Sequence, residues 1–150
     1  MELGCRVAVG LMALAALCVA QPVKFKDCRS TAGKIIIVDI TPCPLLPCVL
    51  HKGQSYAVNV TFASKTSSQK TVAAVYGLVN GILIPFNIPN ADGCKSGIQC
   101  PIRSNQNYHY LNYLPVKEEY PSIKLVVQWE LKDDLDRYLF CWKIPVQITN

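Results

Sequence analysis

The chain has few of the residues, and none of the motifs, that enzymatic chemistry commonly uses. It contains two histidines, His51 and His109, and no GxSxG, HExxH, P-loop or dinucleotide-binding motif. No two cysteines after residue 20 have the CxxC spacing of a zinc knuckle. A catalytic triad assembled from distant residues has no sequence signature and stays an alternative. The sequence therefore favours a binding protein that is not an enzyme and uses no cofactor or metal.

Long apolar runs are absent after residue 20. Arg6 precedes an apolar run over residues 7–19, which ends just before Gln21 and Pro22. Such a run is too short to span a bilayer as a helix, which takes about 20 residues, and is typical of a secretory leader. We expect residues 1–20 to be a cleaved signal peptide, with a retained anchor as the alternative. Residues 21–150 then form one secreted or luminal domain with one core.

Six cysteines remain after the leader: Cys28, Cys43, Cys48, Cys94, Cys100 and Cys141. An even number in a secreted domain predicts disulfides, and six cysteines allow 15 pairings. The spacing favours one of them, because Cys43 and Cys48 flank a proline-rich loop and Cys94 and Cys100 flank a glycine-containing loop. Cys28 would then pair with Cys141, which closes a loop of about 100 residues and is worth about 4.7 kcal/mol in the chain-entropy model.

A helical period is also missing, whereas apolar residues at a period of two recur along the chain. The β-rich stretches are 35–40, 56–63, 72–79, 82–88, 108–114, 123–131 and 138–148. Seven short strands in a secreted domain of this size predict an all-β fold, an immunoglobulin-like two-sheet antiparallel sandwich. Pro85 and Pro145 interrupt strands and are expected at edges or bulges.

Two rows of alternating residues are expected to face inward. One runs from Ile123 to Leu131 and includes Trp129; the other runs from Phe140 to Ile148 and includes Trp142. A packed core explains both rows, and a ligand tunnel between the sheets is the alternative. Periodicity does not separate the two.

Charge is in mild excess but is not concentrated. Residues 21–150 contain 14 basic and 9 acidic residues, and the basic ones are dispersed. Nucleic acid is not a partner for a secreted chain, whereas dispersed lysines suit an anionic membrane surface at about 1 kcal/mol each near the headgroups; solubility is the alternative explanation. Asp133, Asp134 and Asp136 are typical of a turn between strands, with a calcium site as the alternative.

One N-glycosylation sequon, at Asn59, lies in the part of the chain after the leader. Asn59 alternates with the apolar residues Val58 and Val60, so its side chain is expected on the face of the strand away from the core. We therefore predict a glycan at Asn59 that points to water.

Four blocks of the sequence closely resemble the ML lipid-recognition family, and within it the soluble lysosomal sterol carriers. They are 22–28 (PVKFKDC), 52–62 (KGQSYAVNVTF), 92–102 (DGCKSGIQCPI) and 114–127 (LPVKEEYPSIKLVV). The resemblance runs over essentially the whole of residues 21–150 and includes all six cysteines. It implies an immunoglobulin-like sandwich with the same three disulfides, whose sheets part to admit one cholesterol molecule.

The resemblance also implies site residues. Phe86, Val116 and Tyr120 match the family's sterol pocket most clearly. Further lining candidates are Tyr56, Val75, Pro115, Pro121, Ile123, Trp129 and Trp142. Lys52, Asp92 and Lys95 match surface positions that the family uses for transfer.

As partners, the resemblance implies cholesterol and related sterols, the multispanning Niemann-Pick type C membrane protein and anionic late-endosomal membranes. It further implies a monomer in the lysosome or late-endosome lumen, sorted by a mannose-phosphate receptor through the glycan. Relatives often carry a second sequon before the last strand, and Asp136-Arg137-Tyr138 offers none. Because an empty dry cavity of about 300 Å³ would cost about 7 kcal/mol, we expect a pocket that is partly collapsed when empty.

Overall fold

The computed structural model describes the backbone of residues 5–8 and 17–150 and the side chains of residues 21–150. The segments in which apolar and polar residues alternate form β-strands. The strands are β1 Cys5–Ala8, β2 Leu17–Ala20, β3 Lys26–Asp27, β4 Gly33–Thr41, β5 Cys48–His51, β6 Ser55–Ser64, β7 Val72–Val79, β8 Ile82–Phe86, β9 Asn107–Pro115, β10 Lys124–Lys132 and β11 Tyr138–Thr149. A short 3₁₀ turn, Gly93–Lys95, is the one helical element of the described residues.

Two sheets form the sandwich. The smaller sheet has the strand order β4-β6-β9, and the larger has the order β3-β11-β10-β7-β8 with β5 pairing β11 as well. All of these pairings are antiparallel except that of β5 with β11, which is parallel. Among the described strands, β1 pairs with β2 alone. The predicted leader, residues 1–20, is described at these two strands alone; its residues 1–4 and 9–16 lie outside the described part, and its cleavage stays a prediction.

The predicted all-β sandwich is confirmed, and each of the seven predicted stretches forms a strand. The ends differ by at most two residues: β4 begins at Gly33 instead of residue 35, and β8 ends at Phe86 instead of residue 88. β3 and β5 were not predicted, since two and four residues are too few to display a period of two.

The two strand prolines have different environments. Pro85 lies on β8, which is the edge strand of the larger sheet, so its missing N–H interrupts no ladder there, as predicted. Pro145 lies on an interior strand, β11. On the side away from β10, β11 pairs with β3 up to Lys143 and with β5 from Val146 onward. Pro145 therefore lies in the gap between two short partner strands and not at an edge or a bulge.

The predicted inward rows form the core between the sheets. Trp129 and Trp142 are fully buried and stacked, with ring centroids 5.8 Å apart. The Tyr110 hydroxyl accepts hydrogen bonds from Trp129 Nε1 at 3.1 Å and from Asn112 Nδ2 at 2.9 Å. Burial raises the pKa of Tyr110 to about 12, against the opposing effect of these two hydrogen bonds. The phenol is therefore a neutral acceptor inside the sandwich.

All three predicted disulfides are present. Cys28 pairs with Cys141, Cys43 with Cys48 and Cys94 with Cys100, at Cα–Cα distances of 5.0, 5.1 and 5.5 Å. The first joins the ends of the domain. The second spans the loop by which the chain leaves the smaller sheet after β4 and joins the larger sheet as β5.

The three aspartates at residues 133–136 form the turn between β10 and β11, as predicted. The Asp133 carboxylate accepts hydrogen bonds from the backbone N–H groups of Leu135 and Arg137 and lies 2.8 Å from the Arg137 guanidinium. Asp134 accepts from the backbone N–H groups of Gln69 and Lys70, which joins this turn to the β6–β7 loop. The carboxylates are thus occupied by protein donors in the turn and in the neighbouring loop.

Candidate functional site

An apolar cavity of about 170 Å³ lies beside the β7–β8 hairpin, where the loop 116–123 passes over the sandwich. We call this end of the molecule the mouth end. The cavity is lined by Gly77, Val79, Ile84, Pro85, Phe86, Tyr120, Pro121, Ile123, Leu125 and Ile148. Ile84 is 50% exposed, and Pro85 and Pro121 are also exposed, so the cavity borders solvent.

Two aromatic rings form one wall. The rings of Phe86, at the end of β8, and Tyr120, in the loop 116–123, meet edge to face with centroids 5.2 Å apart. Both residues are half-buried and pack against the core. Aromatic side chains of this kind supply contact area to a ligand with few rotatable bonds to restrict. The wall consists of one side chain from each side of the mouth.

The cavity is electrically neutral. Tyr120 is the one titratable residue of its lining, and burial raises the pKa of its hydroxyl, with a further increase from the charge of Glu119 and an opposing hydrogen bond to the backbone at Asn87. The phenol is therefore uncharged throughout the physiological pH range. A cavity with no charge and little polar surface suits a hydrocarbon ligand and offers nothing to a metal or a charged substrate.

A second, much narrower space lies deeper between the sheets. It measures about 10 Å³, room for about one water molecule. Its walls are Ile40, Cys48, Leu50, Val58, Leu114, Val127, Trp129, Trp142, Ile144 and Val146. Ligand pockets usually measure about 300–1,000 Å³, so both spaces are smaller than a lipid needs. Collapse of the pocket in the absence of ligand stays a prediction.

The predicted lining residues separate into three groups. Phe86, Tyr120, Pro121 and Ile123 line the cavity, whereas Trp129 and Trp142 line the deeper space. The remaining four, Tyr56, Val75, Val116 and Pro115, line neither space.

These four residues lie around the mouth. Val75 is buried and pairs with Phe86 across β7 and β8. The Tyr56 hydroxyl accepts a hydrogen bond from the His51 backbone N–H at 2.7 Å. Val116 follows the last residue of β9, Pro115, and exchanges two backbone hydrogen bonds with the β5–β6 turn: Gly53 N–H donates to its carbonyl at 2.6 Å, and its own N–H donates to the Gln54 carbonyl at 2.8 Å. The turn and the mouth loop are therefore tied together.

The predicted transfer residues do not form one cluster. Lys52 lies in the β5–β6 turn at the mouth end. Asp92 and Lys95 lie at the 3₁₀ turn beside Val72, which is the first residue of β7 and lies at the opposite end of that strand from the hairpin. Asp92 also has a local structural role, since its carboxylate accepts a hydrogen bond from Cys94 N–H at 2.9 Å and caps the turn.

Asn59 lies on the face of β6 that points away from the core, as its alternation with Val58 and Val60 predicts. Two residues further along, the hydroxyl of Thr61 is 3.0 Å from Nδ1 of His109 on β9. The glycan itself stays a prediction.

Six lining residues were not identified from the sequence: Gly77, Val79, Ile84, Pro85, Leu125 and Ile148. Leu125 and Ile148 belong to the predicted inward rows, so alternation placed them on the correct face but did not separate a cavity wall from a packed core. Gly77 carried no signal at all, because a residue without a side chain has no place in a pattern of apolar side chains.

Other kinds of site find no support in the part of the chain that the structure describes. Within it, no three histidine, cysteine or acidic side chains converge as metal ligands would. Its elements are strands and one short turn, and it contains no apolar helix of membrane-spanning length. The apolar cavity is the site with the clearest chemistry.

Comparisons with known proteins agree with the fold and the resemblance. A model of the family described as the ML domain matches residues 22–148. NPC intracellular cholesterol transporter 2 from Mus musculus is 60% identical over 140 residues, which cover 93% of this chain and 94% of that protein. The Bos taurus protein of the same name is 58% identical over 142 residues, 95% of each.

Among solved structures, a Niemann-Pick type C2 protein from the Japanese carpenter ant has a similar fold. Its TM-score is 0.79 at 24% identity, and the match covers 85% of this chain and 100% of that one. At this identity the likeness concerns the fold. Together with the family model and the relatives at 58% and 60% identity, it confirms the resemblance noted from the sequence. This chain belongs to the ML domain family.

Proposed function

We propose that the protein is a sterol carrier, which binds one unesterified cholesterol or closely related sterol between its two sheets and makes or breaks no covalent bond. The observation that carries the proposal is the uncharged cavity at the mouth, with Phe86 and Tyr120 as one wall. A separate narrow space at Trp129 and Trp142 lies between the sheets. The family membership and the names of the close relatives support the choice of a sterol as the ligand.

Sterol uptake requires the cavity to grow. A rigid, nearly all-hydrocarbon ligand gains about 25 cal/mol for each Å² of surface that leaves water. At about 0.3 kcal/mol per heavy atom, a sterol of roughly 28 heavy atoms gains about 8 kcal/mol, which corresponds to micromolar affinity or better. That figure is a net binding free energy, from which the cost of separating the sheets at the mouth is already subtracted. The collapsed state avoids the cost of a large empty cavity while no ligand is bound.

Transfer then takes place by direct contact with an acceptor, because free sterol barely dissolves in water. Ile82, Leu83 and Ile84 are exposed next to the cavity, and Lys52 lies in the turn tied to the mouth loop. Apolar side chains next to a basic one suit an anionic late-endosomal membrane or the multispanning Niemann-Pick type C membrane protein as acceptor. We place this activity in the secretory route and the lysosome lumen, with the protein as a monomer that carries a glycan at Asn59 for receptor sorting.

The first test is binding of radiolabelled cholesterol to purified residues 21–150 at pH 5, for the wild type and for Phe86→Ala. Phe25→Ala is a matched control, since Phe25 is also a half-buried phenylalanine packed against the core but does not line the cavity. Saturable one-to-one binding that Phe86→Ala loses and Phe25→Ala keeps is the expected result.

Two results would contradict the proposal. Binding of another lipid in preference to sterols would indicate a carrier of that lipid in the same fold. A folded, disulfide-bonded wild type that binds no lipid would indicate a recognition module with a filled core.

A further inference from the structure

Gly77 lies in the middle of β7, where the backbone places no demand for glycine. It pairs with Ile84 on β8 and with Val127 on β10, so it has strands on both sides, and it is buried. Gly81, in the neighbouring turn, is different: its φ is +78°, and a Cβ there would have no atom within 4 Å. Gly81 therefore serves the turn. The absence of a side chain at Gly77 has to be explained by its neighbours.

Two side chains occupy the space that a Cβ at Gly77 would need. An ideal Cβ would lie 2.8 Å from Cε2 and 3.3 Å from Cζ of Phe86, and 2.7 Å from Cδ1 of Leu125. The strand partner of Phe86 is Val75, so the phenyl ring extends along the sheet by one inward position and lies over Gly77. The far edge of the ring, and not its base, is in contact with the glycine.

The ring of Phe86 thus has contacts on two sides in the cavity. Gly77 lies beneath its far edge, and the Tyr120 ring meets it edge to face at 5.2 Å. Because the clashing atoms are the ends of side chains, a methyl group at position 77 would be accommodated by moving the ring and Leu125 and not by moving the backbone. A substitution at Gly77 should therefore disturb the packing of the Phe86 ring without moving the backbone.

We propose that Gly77 is a positioning residue for sterol exchange: its bare backbone is the surface on which the Phe86 ring rests when the cavity is closed, and this contact sets how rarely the mouth opens. The inference rests on the proposed sterol-carrier function. When sterol binds, the ring leaves Gly77, so the contact stabilises the empty state only. Sterol enters through the open state, so both the apparent affinity and the rate of uptake depend on the fraction of molecules that are open. Destabilising the closed state raises that fraction and therefore the rate of uptake.

The test is Gly77→Ala, followed by stopped-flow fluorescence with the fluorescent sterol dehydroergosterol. Crowding by one methyl group destabilises the closed state by an amount that corresponds to an uptake rate about five- to tenfold faster. The release rate should stay within about twofold of the wild type, since the ring is already displaced in the loaded state. Slower uptake, or faster release with weaker binding, would mean that the methyl group only occupies sterol space and would overturn the inference.

Val79→Ile is the matched control. Val79 lies two residues further along the same strand and lines the same cavity, but Phe86 is not among its strand partners. Val79 is not among the nearest neighbours of a Cβ at Gly77, so a methyl group added at position 79 should occupy cavity volume and should not accelerate uptake. Acceleration by Val79→Ile equal to that of Gly77→Ala would also overturn the inference.

A readout that needs no sterol completes the experiment. In the empty wild type, nuclear Overhauser effects should connect the Phe86 and Tyr120 rings, and Gly77→Ala should weaken them while far-UV circular dichroism is unchanged. Undiminished ring contacts would overturn the inference by themselves. If the wild type binds no sterol, the proposed function fails first. If the wild type binds and Gly77→Ala takes up sterol at the wild-type rate, this inference alone fails.

Discussion

The two ends of the sandwich are stabilised by different kinds of interaction. At the mouth end, the side chains around the cavity are apolar, half-exposed in several cases and in contact through rings such as those of Phe86 and Tyr120. The other end, which we call the turn end, contains the Cys94–Cys100 disulfide, the Asp133–Arg137 ion pair and the hydrogen bonds that the β6–β7 loop backbone donates to the Asp134 carboxylate. The contacts that line the cavity are thus apolar, whereas those at the turn end are covalent or directional.

This difference suits a carrier whose sheets separate at one end only. Apolar contacts are individually weak and lack strict geometry, so side chains at the mouth can rearrange around a ligand without leaving polar groups unpaired. A disulfide and charge-assisted hydrogen bonds at the turn end resist the same displacement. In the proposed carrier, the turn end would be the fixed end against which the mouth opens.

The largest effect is expected from a matched pair of substitutions on β10. Leu125 and Leu131 lie on the same inward face, but Leu125 lines the cavity, whereas Leu131 is fully buried toward the turn end. We expect Leu131→Ala to lower the free energy of unfolding by about 3–5 kcal/mol, because it leaves an enclosed cavity. Leu125→Ala should cost about 2 kcal/mol, because space that borders solvent already adjoins it. Urea unfolding of both variants measures the difference, and equal losses would contradict the distinction between the two ends.

A smaller effect is expected from acid at the turn end. The hydrogen bond that the Gln69 backbone N–H donates to Asp134 lowers the pKa of this carboxyl group below its ordinary 3.8. Hydrogen bonds with the Lys70 backbone N–H and the Ser68 side chain lower it further. A lowered folded-state pKa contributes stability that is present above the ordinary pKa and is lost as pH falls through the folded value. The wild type should therefore keep this contribution at pH 5.

Asp134→Asn isolates that contribution. The variant should be less stable than the wild type at pH 5, and the gap should narrow as pH falls below 3.8, because the wild-type carboxylate becomes protonated. Urea midpoints measured between pH 2 and pH 6 test this expectation. A gap that stays constant over that range would show that Asp134 does not contribute through its charge.

The smallest effect is expected from Tyr120→Phe at the mouth. The variant keeps the ring that meets Phe86 and removes a hydroxyl whose raised pKa leaves it neutral. Cholesterol affinity should change by less than about twofold, and it should be the same at pH 5 and pH 7, because the lining contains no group that titrates in that range. If Tyr120→Phe lost much of the cholesterol affinity and Tyr120→Ala lost no more than that, the binding energy would belong to the hydroxyl and not to the ring.

The strands and their inward faces could be predicted because a period of two is a local property. Alternation alone predicts which face of the sheet carries Leu125, Val127 and Trp129. All three are buried on the inward face of β10, as predicted. The pairing of Cys43 with Cys48 and of Cys94 with Cys100 was predictable for a similar reason, since five and six residues of separation leave few other partners within reach.

The site was predicted less completely. Four of the ten predicted lining residues do line the cavity, among them Phe86 and Tyr120, and they were found through the family resemblance and not through periodicity. The resemblance assigned one role, sterol transfer, to Lys52, Asp92 and Lys95. The fold places Lys52 at the mouth and the other two residues near the start of β7. A motif match carries no distances between segments, so it did not show that separation.

The sequence alone predicted the all-β class, the seven main strands and the inward rows, because each depends on residues near one another in the chain. It also predicted the disulfides, because the cysteines are few and four of them lie in two closely spaced pairs. The cavity depends on how side chains from β7, β8, β10 and the loop 116–123 meet. Gly77 is the clearest case, since its role consists of room left for Phe86 and Leu125, and empty space between distant residues exists only once the chain has folded.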